Sequence, residues 1–174
     1  MTIAIPDFCL VLLIGVSGSG KTTFARRHFR PTEVISSDYC RALIADDEND
    51  QSATDDAFAL LHFLADKRLK RRRLTVIDAT NVTEKARSSL LALAQRHQCP
   101  AVALVLDLPE TVLNERRRTR TDRDFGDYVL HRQRAALWQT DPRWLDYEGF
   151  AQVYRLQSEA DVNAVVLSRT RSGA

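Results

Sequence analysis

The sequence has little of what would staple a chain or anchor it in a membrane. Cysteine occurs three times, at Cys9, Cys40 and Cys99, an odd number with no C-x-x-C spacing. That pattern gives neither a disulfide framework nor a cysteine-based zinc site, and a reducing cytoplasm is the expected compartment. The longest apolar stretch, Phe8 to Ile14, is far too short to cross a bilayer, so no membrane partner is expected. Asp7 precedes that stretch and no basic flank does, which excludes the usual form of a secretory signal. The four histidines, His28, His62, His97 and His131, show no metal-ligand spacing. His62 and His97 fall on or beside apolar helical stripes and are expected to pack. Repeats, linkers and low-complexity segments are absent, and only the tail from Ser168 to Ala174 reads as loose.

What remains is an ordinary globular composition. With 174 residues and 44% hydrophobic content, the chain suits one domain, residues 1–174, that buries about two-thirds of its unfolded surface. Apolar, β-rich runs recur at Cys9 to Ile14, Glu33 to Ser36, Leu74 to Asp78, Val102 to Asp107 and Gln152 to Leu156. Segments of helical period lie between them. Nearly continuous apolar strands alternating with helices predict an α/β fold with a parallel sheet covered on both faces. The stretch from Thr54 to about Arg72 sets Ala57, Leu60, Leu61 and Leu64 on one stripe, after the capping spacing Ser52-x-x-Asp55. Residues Glu84 to His97 repeat the pattern. Pro109 stands at a helix start, and Ser158-x-x-Asp161 caps a short last helix.

The segment after the first strand, residues 15 to 22, reads GVSGSGKT, a full match to the phosphate-binding loop G-x-x-x-x-G-K-[ST]. A buried strand that feeds a glycine loop opening a helix is the context this motif requires. Gly15, Gly18 and Gly20 let the backbone turn its N–H groups toward a polyphosphate at the positive end of a helix. The expected nucleotide contacts are Gly15, Ser17, Gly18, Ser19, Gly20, Lys21, Thr22 and Thr23. Lys21 reaches the β- and γ-phosphates and Thr22 ligates Mg²⁺ in this reading.

In an open α/β sheet, ligands sit beyond the carboxyl ends of the strands. The second run ends in Ser36-Ser37-Asp38-Tyr39-Cys40-Arg41. Asp38 and Arg41, three apart on a helical turn, share a face and suit one acceptor. A carboxylate here serves as the general base for an attacking alcohol; equally, it is a helix cap beside a surface arginine. The third run ends in Asp78-Ala79-Thr80-Asn81. Asp78 either orients Mg²⁺ or simply ends the strand, and Thr80 and Asn81 either approach the acceptor or fill a turn.

After the fourth run comes Asn114-Glu115-Arg116-Arg117-Arg118-Thr119-Arg120-Thr121-Asp122-Arg123. Such arginine density reads as a lid over the nucleotide, and helical spacing sets Arg116, Arg120 and Arg123 on one face. Two other charge runs, acidic from Asp46 to Asp56 and basic from Lys67 to Arg73, read as solvated faces.

Taken in order, GVSGSGKTTFARRHF, PTEVISSDYCRALIADDENDQ, LTVIDATNV and ERRRTRTDR closely resemble the kinase module of bacterial polynucleotide kinase-phosphatase, an RNA end-healing enzyme. The resemblance implies a phosphate-loop kinase fold with a five-stranded parallel sheet of order 2-3-1-4-5 and an arginine-rich lid. It implies transfer of the γ-phosphate of ATP, or another NTP donor, to 5′-hydroxyl ends of RNA or DNA with Mg²⁺. Under it, Lys21 and Thr22 look like the phosphate and metal contacts, Asp38 like the base, and Arg41 like the clamp on the acceptor's end phosphate. Arg116, Arg120 and Arg123 look like the lid residues on the ATP phosphates. Homodimerisation is implied as well, and so are phosphatase and ligase modules beyond this chain. A pI of about 8.5 is modest for a nucleic-acid binder, so contact with a few terminal nucleotides is expected. A small-molecule kinase of the same fold and a nucleotide-dependent switch are the alternatives that the motifs leave open.

Overall fold

A computed structural model describes residues 1–119, 127–139 and 142–171 of the chain. Seven strands are described: β1 (Thr2–Pro6), β2 (Leu10–Ile14), β3 (Val34–Ser36), β4 (Thr75–Asp78), β5 (Ala101–Leu106), β6 (Gln152–Leu156) and β7 (Val166–Thr170). The helices are α1 (Lys21–His28), α2 (Ser37–Ala45), α3 (Thr54–Lys70), α4 (Glu84–Arg96), α5 (Glu110–Thr119), α6 (Asp127–Gln139), α7 (Pro142–Glu148) and α8 (Glu159–Asn163). None of the described helices is long and apolar enough to cross a membrane.

Five strands form one parallel sheet in the order β3-β4-β2-β5-β6. These are the five segments read as strands from the sequence, but the order does not carry the labels 2-3-1-4-5. An unforeseen strand, β1, precedes them and shifts every number by one. β1 pairs in parallel with β7 in a separate two-stranded sheet. The expectation of a loose tail from Ser168 is corrected there, since Ser168, Arg169 and Thr170 pair with Ala4, Ile5 and Pro6. The β7 side chains are half-buried or exposed, so the segment carries no apolar alternation to announce a strand.

Every residue of β2, β4 and β5 is buried, as strands covered on both faces must be. Alternation then divides them between two cores. Leu10, Leu12, Ile14, Ile77, Ala103 and Val105 face α3 and α4, where Ala57, Leu61, Ala65, Leu69 and Leu90 recur at helical spacing. Val11, Leu13, Val76, Val102 and Leu104 face the other way, onto Phe24 and Ala25 of α1 and onto Ile3 and Ile5. Each fully buried leucine or isoleucine stabilises the fold by about 1.5–3 kcal/mol, so the sheet centre is held firmly and its carboxyl ends are set rigidly side by side.

Two caps differ from expectation. Ser52 does not cap α3: Asp50 accepts the Ser52 N–H and caps a 3₁₀ turn, Gln51–Ala53, that runs into the helix. The capping box at Ser158 and Asp161 forms as read. His97 packs at the end of α4 but also meets Asp66 of α3, Nε2 to Oδ1 at 2.8 Å.

Candidate active site

The phosphate loop lies at the centre of the sheet's carboxyl edge, between Ile14 of β2 and Lys21 of α1. Gly18 and Gly20 hold φ of 82° and 96°, the left-handed region where a side chain is strained. Gly15 is needed for space instead. A Cβ there would stand 2.7 Å from the Leu106 carbonyl oxygen and 2.7 Å from Ser19 Oγ. Gly20 ends the loop as the cap of α1 with no side-chain partner, which leaves that helix end to the loop's own backbone. The Lys21 ammonium is buried and donates to the carbonyls of Gly15 at 2.9 Å and Val16 at 2.8 Å. Its charge is thus held along the loop.

Beside it, Thr22 Oγ1 donates to Asp78 Oδ2 at 2.8 Å. Asp78 is the last residue of β4, and only 4% of it is exposed. Burial pushes its carboxyl above the ordinary value, and the charge of Asp38 adds to this; the Thr22 hydroxyl and Lys21 pull the other way. A hydroxyl and a buried carboxylate offer the hard oxygen donors that suit Mg²⁺. Among the described residues no group of three histidine, cysteine or acidic side chains could hold a metal ion. An ion held by Thr22 and Asp78 would draw its other ligands from phosphate and water, as Mg²⁺ commonly does.

Asp38 enters from the neighbouring strand. Ser36 of β3 pairs in register with Asp78, and its hydroxyl caps α2 by accepting the Tyr39 N–H. Ser36, not Asp38, is the cap, so the carboxylate of Asp38 is released from that duty. It meets Arg41 instead, at 2.8 Å across one helical turn. Arg41 Nη1 also donates to the Glu48 carbonyl at 2.6 Å, and its Nε is buried with no hydrogen-bond partner.

The arginine-rich segment is represented by Arg116. Its Nη1 donates to the carbonyls of Ser19 at 3.0 Å and Gly18 at 3.4 Å, while Nε and Nη2 reach Glu159 Oε1 at 3.2 and 2.8 Å. Arg120 and Arg123 lie outside the described residues.

The strand-end residues expected at the acceptor serve the loop's foundation. The Thr80 carbonyl accepts the Gly15 N–H at 3.0 Å. Asn81 is 2% exposed with φ of 49°, and its Nδ2 donates to the Leu13 carbonyl at 2.8 Å. Its amide is thus buried against the backbone of β2.

Two side chains at the site had not been read from the sequence. Arg87 of α4 donates to the Asn81 carbonyl and forms a bidentate pair with Glu148. Gln133 of α6 accepts the Ser17 N–H through Oε1 at 2.8 Å. Neither belongs to a motif, and both act on backbone groups, so spacing gave no signal for them.

A family profile described as an AAA domain matches residues 10–139, from β2 to the end of α6. The chain belongs to this AAA-domain family. The matched span of this AAA-domain protein holds the phosphate loop, Asp38, Asp78, Arg116 and Gln133. No curated protein matches it. Among solved structures it is similar to the Pnkp1/Rnl/Hen1 RNA repair complex, with TM-score 0.67 and 22% identity over 78% of this chain and 46% of that one. This chain thus spans about half the length of that relative. It is also similar to a gluconokinase from Sinorhizobium meliloti 1021, with TM-score 0.54 and 22% identity over 88% and 84% of the two chains. Kti12 of Chaetomium thermophilum in complex with ADP-AlF3 gives TM-score 0.58 and 18% identity over 88% and 93%. Such identities speak for the fold. It is the phosphate-loop kinase fold expected from the sequence.

Proposed function

We propose that this AAA-domain chain is an ATP-dependent kinase that phosphorylates the 5′-hydroxyl ends of RNA or DNA. The observation that carries the reading is the adjacency of two pairs at one sheet edge: Thr22 with Asp78, and Asp38 with Arg41. The first suits a donor polyphosphate and its cation, the second an alcohol acceptor with an anionic neighbour.

Gly18, Gly20 and the amino end of α1 receive the phosphates, and Lys21, still seated on the Gly15 and Val16 carbonyls, turns its third donor to the β- and γ-oxygens. Thr22 and Asp78 would hold Mg²⁺, which when bound would offset the charge on those oxygens. Asp38, oriented by Arg41, takes the proton of the attacking 5′-hydroxyl. Arg41 turns part of its guanidinium toward the phosphate next to that end, where its fork suits two phosphate oxygens. Arg116 stays on the Gly18 and Ser19 carbonyls and keeps the loop's N–H groups turned inward. The fit of the sequence segments to the polynucleotide kinase module supports this choice of acceptor.

The test is transfer of label from γ-labelled ATP to a 5′-hydroxyl oligonucleotide. Asp38→Ala is expected to reduce turnover by about 10²- to 10⁴-fold while ATP still binds. Retained turnover in that variant refutes the base assignment.

A second reading, kinase action on a small anionic metabolite, draws on Arg41. It is only 8% exposed and already bonded to Asp38 and Glu48, a recess that suits a compact acceptor. Label appearing on a sugar acid and none on an oligonucleotide would decide for it.

A further inference from the structure

We infer that Gln133 is a positioning residue for Lys21, acting through the peptide that joins Val16 to Ser17. The inference rests on the donor-site reading above and adds a residue to it.

One peptide unit carries both bonds. Its carbonyl, that of Val16, accepts the Lys21 ammonium at 2.8 Å, and its N–H, that of Ser17, donates to Gln133 Oε1 at 2.8 Å. No peptide among the described residues is cis, so this C=O and N–H point in opposite directions from one plane. A rotation of the plane that releases one bond releases the other. Gln133 therefore fixes the direction in which the Val16 carbonyl faces, and with it the seat of the ammonium. The neighbouring seat, the Gly15 carbonyl, lies one peptide nearer β2, where the Gly15 N–H donates to the Thr80 carbonyl. The Val16–Ser17 peptide lies farther out, next to the left-handed turn at Gly18.

The attachment comes from α6, whereas Arg116 grips the Ser19 and Gly18 carbonyls from α5. Two helices hold separate peptides of the loop by opposite polarity, α5 by donating and α6 by accepting. A carboxamide is suited to the second task, since its oxygen accepts the Ser17 N–H without adding negative charge beside the phosphates.

A preorganised ammonium matters most for the phosphate it must meet on the donor, so the readout is discrimination between ATP and ADP. Binding of Mg-ATP and Mg-ADP is measured by calorimetry on the full chain and on two uncharged variants. Gln133→Met keeps length and removes the acceptor; Gln133→Asn keeps the carboxamide but withdraws it by one methylene. Loss of one hydrogen bond of this kind corresponds to about 10-fold in affinity. The expected result is that both variants lower the preference for ATP over ADP by about 10-fold. Thermal melting of the free variants checks that both fold like wild type. Equal discrimination in wild type, Met and Asn overturns the inference. Because no acceptor is present, the outcome is independent of whether the chain phosphorylates oligonucleotides: a wild type that labels none sinks the polynucleotide reading and leaves this one to be judged by its own ratio.

Discussion

Replacing Arg87 by methionine should be the most damaging single change outside the loop. The Arg87 side chain is 1% exposed and that of Glu148 13%. Arg87 makes two bonds to Glu148, Nε to Oε2 at 2.7 Å and Nη2 to Oε1 at 2.6 Å, and one to the backbone of the site, Nη1 to the Asn81 carbonyl at 2.9 Å. Methionine fills much of the volume but leaves the Glu148 carboxylate buried and without a partner. Breaking one side of a buried pair costs about 3–5 kcal/mol. Against a total of about 5–15 kcal/mol for a domain, that is a large fraction. At about 2–4 °C per kcal/mol for a chain of this size, the melting temperature should fall by about 6–20 °C. The double variant Arg87→Met with Glu148→Leu separates causes, because an apolar pair of similar volume removes the stranded charge. What then remains is the undonated Asn81 carbonyl, about 1–3 kcal/mol. Urea unfolding followed by circular dichroism supplies the free energies. A single variant within 1 kcal/mol of wild type on the scale of point mutants, or a double variant no better than the single, refutes the argument.

The remaining expectations concern the loop, the metal pair and acid. Gly15→Ala should weaken Mg-ATP binding at least about 10-fold, since its Cβ meets the Leu106 backbone oxygen at 2.7 Å and the loop must shift; calorimetry reads it, and unchanged affinity contradicts the packing. Asp78→Asn retains an oxygen for the Thr22 hydroxyl and removes a desolvated charge, so the free chain should melt no lower than wild type. The gain in melting temperature on adding Mg-ATP, worth about 2.7 kcal/mol at a hundredfold excess over Kd, should disappear. Glu33 gives the pH dependence. Burial pushes its carboxyl up, but the Arg169 hydrogen bond, the Arg30 N–H and both charges outweigh this and hold it below the ordinary 4.5. A carboxyl lowered by folding stabilises the chain above its unfolded value, and that stabilisation is lost as pH falls through the folded value. Glu33→Gln should therefore flatten the loss of stability below about pH 4.5, seen in melts across an acid series; parallel acid profiles would tell against the Arg169 pair.

The central strands β2 and β5 were legible because their residues are apolar without interruption, and the loop because its glycines and lysine are required by geometry at fixed spacing. Asp38 and Arg41 could be named from their place after β3, but their mutual salt bridge and the Ser36 cap could not. Helix register puts residues three apart on one face without saying whether they bind each other or a ligand. The β1 and β7 pair was missed for a physical reason: its partners are 164 positions apart in Thr2 and Val166, and the exposed face of β7 erases the pattern. Arg87 and Gln133 escaped notice because their bonds at the site go to backbone atoms, which carry no side-chain identity for a motif to record; Asn81 was named, but not its bond to the Leu13 carbonyl. A positive φ at Asn81 was the one foreseeable element, since asparagine tolerates the left-handed region.

The pairing of β1 with β7 also decides how the chain bears tension. The two strands run parallel, with Thr2 opposite Val166 and Pro6 opposite Thr170. A pull between the start of β1 and the end of β7 acts along the strands in opposite senses, so the rungs are loaded together in shear and are not peeled one at a time. The Met1 ammonium on the Ala164 carbonyl and the Asp7 N–H on the Thr170 carbonyl close the two ends of this clasp. Force applied across those two ends would load the β1–β7 rungs directly, while the phosphate loop sits on β2 in the other sheet.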